Sequence, residues 1–270
     1  MKSSSLLLSA FAVTFFSFVS CTKEDSLKET DNSPIVASAS IDLVNELDIK
    51  TGTQISFEKL TARQTSKSLT AACATVTMDP LTTSFPKTFY IDFGTGCPTN
   101  GITRKGKLKI TFSNYITTTG STMTIERVNY YVNDNKVEGK IVYTNTTVNQ
   151  SIPQWTRTVT SGIFTDTKGD VYENSGSHTI QQTAGASTAT LDDNTYEMKE
   201  GTHTVSKKNG AQITLTVLTP LVKNYNCDYI SKGGLKVEST LLNGVIDYGN
   251  GDCDKNATYT QNGMVFPFTL

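Results

Sequence analysis

Lys107-Leu108-Lys109-Ile110-Thr111-Phe112 decides the fold class. Polar and apolar side chains alternate one by one, and successive side chains of a strand point to opposite faces. Leu108, Ile110 and Phe112 should therefore share a buried face, with Lys107 and Lys109 in water. Ala211-Gln212-Ile213-Thr214-Leu215-Thr216-Val217 repeats the pattern, with Ile213, Leu215 and Val217 facing in and Thr214 and Thr216 facing out. Val128–Val132, then Asn133-Asp134-Asn135-Lys136, then Val137–Tyr143 reads as a hairpin whose Asn and Asp supply the tight turn. Asp166-Thr167-Lys168-Gly169-Asp170 and Lys207-Lys208-Asn209-Gly210 are turns of the same kind. Abundant Thr, with Tyr, Val and Ile, favours strands, and long runs of Ala, Glu, Leu and Lys are missing. The expectation for residues 73–270 is an all-β fold: a single antiparallel β-meander, forming a curled or barrel-like sheet.

The front of the chain is different. Lys2 precedes Leu6–Val19, an apolar run of 14 residues, of signal-peptide length and too short to span a bilayer as a helix. Phe18-Val19-Ser20-Cys21 closes it and resembles the lipobox of bacterial lipoproteins. That resemblance implies that residues 1–20 are a signal peptide and that Cys21 is lipidated as the new N-terminus, with palmitate-type chains holding the protein to a membrane. Thr22-Lys23-Glu24-Asp25 looks like the signal that sends Bacteroidetes lipoproteins to the outside of the outer membrane, so the expected address is the cell surface. Residues 21–40 read as a flexible tether. Residues 41–72 are a poorly defined lead-in. In it Ile41, Val44 and Leu47 have the spacing of a short helix over about 41–49, with Asp42 as its cap and Thr51-Gly52 as its stop.

Four cysteines remain besides Cys21, an even number in an exported chain. Ile91-Asp92-Phe93-Gly94-Thr95-Gly96-Cys97 matches Ile246-Asp247-Tyr248-Gly249-Asn250-Gly251-Asp252-Cys253 with one insertion. Cys73 stands 24 residues before Cys97, and Cys227 stands 26 before Cys253. This internal repeat predicts two intra-repeat disulfides, Cys73–Cys97 and Cys227–Cys253. Pairing between repeats would need the two units to lie side by side. The segments CATVTMD, IDFGTGC, TRKGKLKITFS, NYYVNDNKVEG and IDYGNGDCDKNAT resemble an uncharacterised family of Bacteroidetes lipoproteins. The resemblance supports the outer-membrane address and implies no activity.

Composition removes several function classes. The formal charge is −1 with no basic stripe, so no nucleic-acid partner is expected. No second apolar stretch approaches 18 residues, so only the lipid should touch the membrane. Asp252-Cys253-Asp254-Lys255-Asn256 opens like a calcium loop, but Ala257 and Gly263 stand where glycine and glutamate are needed, so the cluster reads as a turn. His178 and His203 are far apart in sequence and read as wet or packed strand residues. Ser175-Gly176-Ser177-His178 reads as a strand end with its side chains on alternate faces. Asp92 and Asp247, equivalent in the repeat, should accept backbone N–H bonds ahead of a glycine. Arg104-Lys105-Gly106-Lys107 reads as a solvated strand start. Tyr130-Tyr131, Trp155, Tyr172, Tyr196, Tyr225 and Tyr229 read mainly as core, with one ring of Tyr130-Tyr131 outward. No catalytic, cofactor or metal residue is assigned. The expected function is a non-catalytic binding or envelope-structural module that takes a glycan or protein ligand. The alternatives are a lipid or ligand carrier with a β cavity, and a carbohydrate hydrolase working through two carboxylates.

Overall fold

The computed structural model describes residues 31–60, 72–79 and 84–270, so Cys21 and its lipobox lie outside the described residues. A helix, α1 (Ser33–Ile55), runs into one π-helical turn at Ser56–Leu60. The strands follow: β1 (Thr75–Asp79), β2 (Lys87–Asp92), β3 (Cys97–Thr99), β4 (Ile102–Phe112), β5 (Thr122–Val132), β6 (Asn135–Asn145) and β7 (Gln154–Thr165). Then come β8 (Val171–Ala184), β9 (Thr195–Lys207), β10 (Gln212–Asn224), β11 (Lys232–Glu238), β12 (Gly244–Asn250), β13 (Asn256–Gln261) and β14 (Met264–Thr269). Each strand pairs with its sequence neighbour in one antiparallel sheet, except that β3 is a side branch on β4. No pairing joins β1 to β14, so the meander curls without closing.

Alternation places the core as the sequence predicts. Leu108, Ile110, Phe112, Ile213 and Leu215 are all fully buried, and Val217 packs half-buried against them. Lys107 is exposed, while Lys109 is half-covered and pairs with Glu126 at 2.8 Å. Asn133 and Asp134 hold φ of 47° and 65° in the β5–β6 turn, as a two-residue hairpin loop requires. Tyr130 is buried and Tyr131 lies on the outer face.

A crease curls the sheet. Register shifts occur in all eight successive pairings from β4–β5 to β11–β12. Each bulge bends its strand and raises the local twist. The shift also resets the alternation: in β7 the inward residues are Trp155, Arg157 and Val159 before the bulge, and Gly162 and Phe164 after it. Glycine makes the crease possible. At Gly139 φ is 96°, and a β-carbon would sit 2.7 Å from the Ser161 carbonyl oxygen.

The trough of this sheet is filled by α1. Pro34 starts the helix at its first turn, where a missing N–H costs nothing, and Asp31 Oδ1 accepts the Ser33 N–H at 2.9 Å. Ile35, Ala39, Leu43, Val44, Leu47 and Ile55 are buried on different sides of it, the distribution of a core helix. Three expectations are thereby corrected. The helix spans Ser33–Ile55 rather than 41–49, so residues 33–40 of the presumed tether are its first turns. Asp42 is a mid-helix residue bonded to the sheet, not a cap. Gly52 does not stop the helix, because its missing β-carbon admits the buried Met123 side chain.

Both disulfides form as the repeat predicts, Cys73–Cys97 and Cys227–Cys253. The repeats flank the seam of the open sheet. Ile91 and Ile246, Phe93 and Tyr248 are buried as equivalent pairs. Gly94 N–H donates to Asp92 Oδ1 and Gly249 N–H to Asp247 Oδ1, each at 2.8 Å, so both aspartates do turn work. The two units do meet, though by polar contacts: Asp228 accepts from Asn100 at 2.8 Å and from Lys50 of α1 at 2.7 Å. Burial pushes the Asp228 carboxyl up, and those two donors more than offset it, leaving the group below its ordinary value.

Candidate functional site

Two places gather chemistry. The first is the interface between α1 and the sheet, where the strands bring inward-pointing cations to the helix carboxylates. Arg127 of β5 bonds Asp48 and Asn45 at 2.8 Å each, and Asp48 also accepts the Tyr130 hydroxyl at 2.7 Å. Arg157 of β7 bonds Glu46 at 2.7 Å and Asp42 at 3.4 Å, and Tyr248 donates to Asp42 at 3.3 Å. Arg104 turns inward, donating to Thr51 at 2.8 Å and lying 4.1 Å from the centre of the Phe93 ring. Arg104 thus departs from the solvated strand start expected of it, whereas Lys105 and Lys107 pair with Asp134 and Asp92. The reason is register: Arg104 shares the inward phase of Ile102 and Leu108.

The histidines, far apart in sequence, touch. Ser175-Gly176-Ser177-His178 is the middle of β8, not a strand end, and a neighbouring position of β9 carries His203. Ser175 and Ser177 face outward and His178 faces in, so no serine of this stretch meets the imidazole. Arginine can only donate, which orders the chain of bonds. Arg157 Nη2 donates to His178 Nδ1 at 3.2 Å, His178 Nε2 to His203 Nδ1 at 3.3 Å, and His203 Nε2 to Ser38 Oγ at 3.1 Å. Both rings are therefore neutral Nε2–H tautomers. Burial and the nearby Arg157 charge hold both imidazoles below their ordinary value, while burial pushes the Glu46 carboxyl up against the pull of Arg157. Ser38, Asp42, His178 and His203 are all buried, and the space beside them is about 10 Å³, room for one water at most. This cluster joins helix to sheet and offers a substrate no access. Among the described residues no group of His, Cys, Asp or Glu has the spacing to hold a metal ion.

The second place is an open cleft of about 270 Å³ beyond the C-terminal end of α1. Thr53, Ser56 and Phe57 form one wall, and the β4–β5, β6–β7 and β8–β9 connections form the rest. Trp155 lines it, stacked on Tyr143 at 5.7 Å and edge-on to Tyr196 at 6.2 Å, with its indole N–H tied to the Ile116 carbonyl at 3.0 Å. Asn145 is locked by bonds to the Ile116 carbonyl and the Thr147 N–H. Asn194 donates from Nδ2 to the Tyr196 hydroxyl at 2.9 Å, but its Oδ1 is buried without a partner. An inner recess of about 30 Å³ shares Thr53 and Tyr196 with the cleft. There the Tyr225 ring lies under Lys50, and its buried hydroxyl has no partner. An unmet buried polar atom costs about 1–3 kcal/mol, and these two lie sealed in separate places, one beside the cleft and one in the recess. Burial pushes the Tyr196 phenol up to about 12 and the Lys223 ammonium in the recess down to about 8.

The sequence pattern reads Trp155, Tyr196 and Tyr225 as core; Trp155 and Tyr225 are buried, and Tyr196 is half-buried beside the cleft. Asn145, the last residue of β6, and Asn194, in the β8–β9 connection, carry no periodic signal of a site. The sequence reading missed Arg127 and Arg157, although Trp155-x-Arg157-x-Val159 places an arginine in the inward phase of a strand. Comparisons with protein-family models, with curated proteins and with solved structures give no match to this chain.

Proposed function

We propose that this chain is the body of a lipid-anchored outer-membrane protein that binds a ligand and does not turn it over. The address rests on Phe18-Val19-Ser20-Cys21 and Thr22-Lys23-Glu24-Asp25, with Cys21 as the lipid site. The binding reading rests on one observation: the Arg157–His178–His203 cluster is sealed between α1 and the sheet, while the open cleft presents amides, hydroxyls and rings. A carrier would need an empty trough, and here α1 fills it. A two-carboxylate hydrolase would need a close pair facing a cleft, whereas Asp42 and Glu46 are buried and both held by Arg157.

Fractionation is the first test. The protein should pellet with outer membranes and label with a fatty acid, and Cys21→Ala should release it; an unlabelled wild type would end the anchor reading. A panel of glycans and envelope proteins, run beside a broad hydrolase screen, is the second. Saturable binding without turnover is expected, and glycoside or ester turnover abolished by one Asp or Glu replacement would reverse the assignment.

A further inference from the structure

The segment that leads from Cys21 enters the body at one end of the strands. Asp31 and Ser33 each accept from Lys207 Nζ at 3.1 Å, and Lys207 is the last residue of β9. In an antiparallel meander every second turn lies at the same end. The β9–β10, β11–β12 and β13–β14 turns therefore share the end where α1 begins. That end carries exposed apolar side chains. Leu241, in the β11–β12 turn, is 65% exposed, and Met264 and Val265, at the start of β14, are 58% exposed. Gln261 ties them together: it donates from Nε2 to the Leu241 carbonyl at 3.0 Å and stands opposite Met264 in the β13–β14 ladder. Phe266, stacked on Tyr259 at 6.2 Å, is also exposed, as is Val36 in the first turn of α1. Apolar surface gathered in one place marks a contact with protein or membrane.

We propose that this end of the sheet rests on the bilayer beside the lipid, with Leu241, Met264, Val265 and Phe266 in the interface, a step that rests on the anchor reading above. The lipid is then not the chain's sole contact with the membrane. The length of the connecting segment argues for this occupant. Asp31 stands ten positions after Cys21, and such a segment reaches at most about 35 Å. A bilayer is therefore always within reach of this end, at high effective concentration. The cleft lies at the other end: β8 alone runs 14 residues, about 45 Å, to the connections that form it. The rival occupant is an added strand, and Pro267 opposes it. Leu270 N–H donates back to the Lys255 carbonyl at 2.9 Å, so the N–H groups of Phe268, Phe266 and Met264 also point to β13. Val265, Pro267 and Thr269 turn theirs to the free edge, where Pro267 has none to give. The edge thus offers apolar side chains without an unbroken row of donors, which suits lipid, since acyl chains need no hydrogen bond. Side chains immersed ~5–10 Å deep would pin the Cys21 end down and turn the cleft outward.

The added indole of Phe266→Trp reads this contact, with Trp155, the chain's single tryptophan, as a constant buried background. The full acylated chain is reconstituted into phosphatidylcholine vesicles whose acyl chains are either plain or brominated. The F266W emission should shift to the blue and fall about 2-fold on brominated lipid, as expected of a ring at interfacial depth. Val148→Trp, in the β6–β7 connection at the cleft end, should stay red and unquenched. Adding Leu241→Asp and Met264→Asp to Phe266→Trp should remove most of the quenching. The fatty-acid label and the thermal midpoint should stay as they were, because both sites are exposed. Should Phe266→Trp fail to fold, Val265→Trp decides. An acylated chain whose F266W indole is quenched no more than that of V148W would overturn the proposal and leave the anchor standing. A blue shift without quenching, growing with protein density, would overturn it in favour of a second copy of this chain on the patch. A chain that carries no fatty acid would overturn the anchor reading, and with it the reason for lipid to lie near this end.

Discussion

Arg157 is the residue on which the α1–sheet contact turns. It is 1% exposed and faces Asp42, Glu46 and His178. Removing one partner of a buried ion pair leaves the other charges desolvated and unmatched, so Arg157→Ala should destabilise the fold by about 3–5 kcal/mol. Chemical denaturation reads this directly, and a loss under ~1 kcal/mol would mean that Glu46 and Asp42 find water instead. The histidines next to it predict acid lability. Both are held neutral in the folded state, and both bind a proton below about 6.5 once unfolded. Below that pH the unfolded chain therefore binds more protons, so stability falls as pH falls, approaching ~2.7 kcal/mol per pH unit for two groups. Glu46 acts oppositely: its raised carboxyl takes a proton earlier in the fold than in the unfolded chain, which flattens the slope at the acid end. Denaturant midpoints between pH 8 and 5 measure the sum. Replacing both histidines with glutamine should remove most of the slope just below 6.5.

At the scale of elements, the crease and the disulfides shape the sheet. Gly139 needs positive φ and close approach to Ser161 together, so Gly139→Ala should cost about 1–3 kcal/mol of strain. A thermal midpoint within a degree of wild type would show that the sheet can curl without this bulge. Each disulfide closes a loop of 24 or 26 residues and should contribute roughly 3 kcal/mol. Replacing Cys73 and Cys97 by alanine should therefore lower the unfolding free energy by about that amount. Non-reducing peptide mapping of the wild type should recover the two linked pairs and no Cys73–Cys227 peptide. The helix is the element least visible beforehand. Its apolar residues surround it instead of forming one stripe, and its polar residues are buried by partners far away in sequence, as in Arg157–Glu46.

For the whole molecule, the unclosed seam is where local opening should begin. The Asn100–Asp228–Lys50 contacts link the two repeats across it without backbone pairing. Asp228→Asn should speed amide exchange in β1–β3 and β11–β14 while leaving the β6–β9 centre protected, and uniform exchange would show that the curled sheet opens as one unit. The Asp228 carboxyl lies below its ordinary value, so its contribution is present above about pH 4 and is lost as pH falls through its folded value.

The all-β meander, the inward and outward faces of Lys107–Phe112 and Ile213–Val217, the Asn-Asp turn and both disulfides were legible in the sequence by itself, whereas β7–β9 and their bulges were not. Strand alternation, Asn-Asp turn chemistry and a duplicated cysteine spacing are local signals that need no partner to be read, as in Lys107–Phe112 and Asn133-Asp134. Only the tertiary structure decided that Ser33–Ile55 is a buried helix, that His178 meets His203, and that Arg157 reaches Asp42 and Glu46. Each of these depends on which distant residue arrives opposite. Bulges set that by shifting register strand by strand, and burial then makes a carboxylate, an imidazole or a hydroxyl worth only what its partner makes it worth.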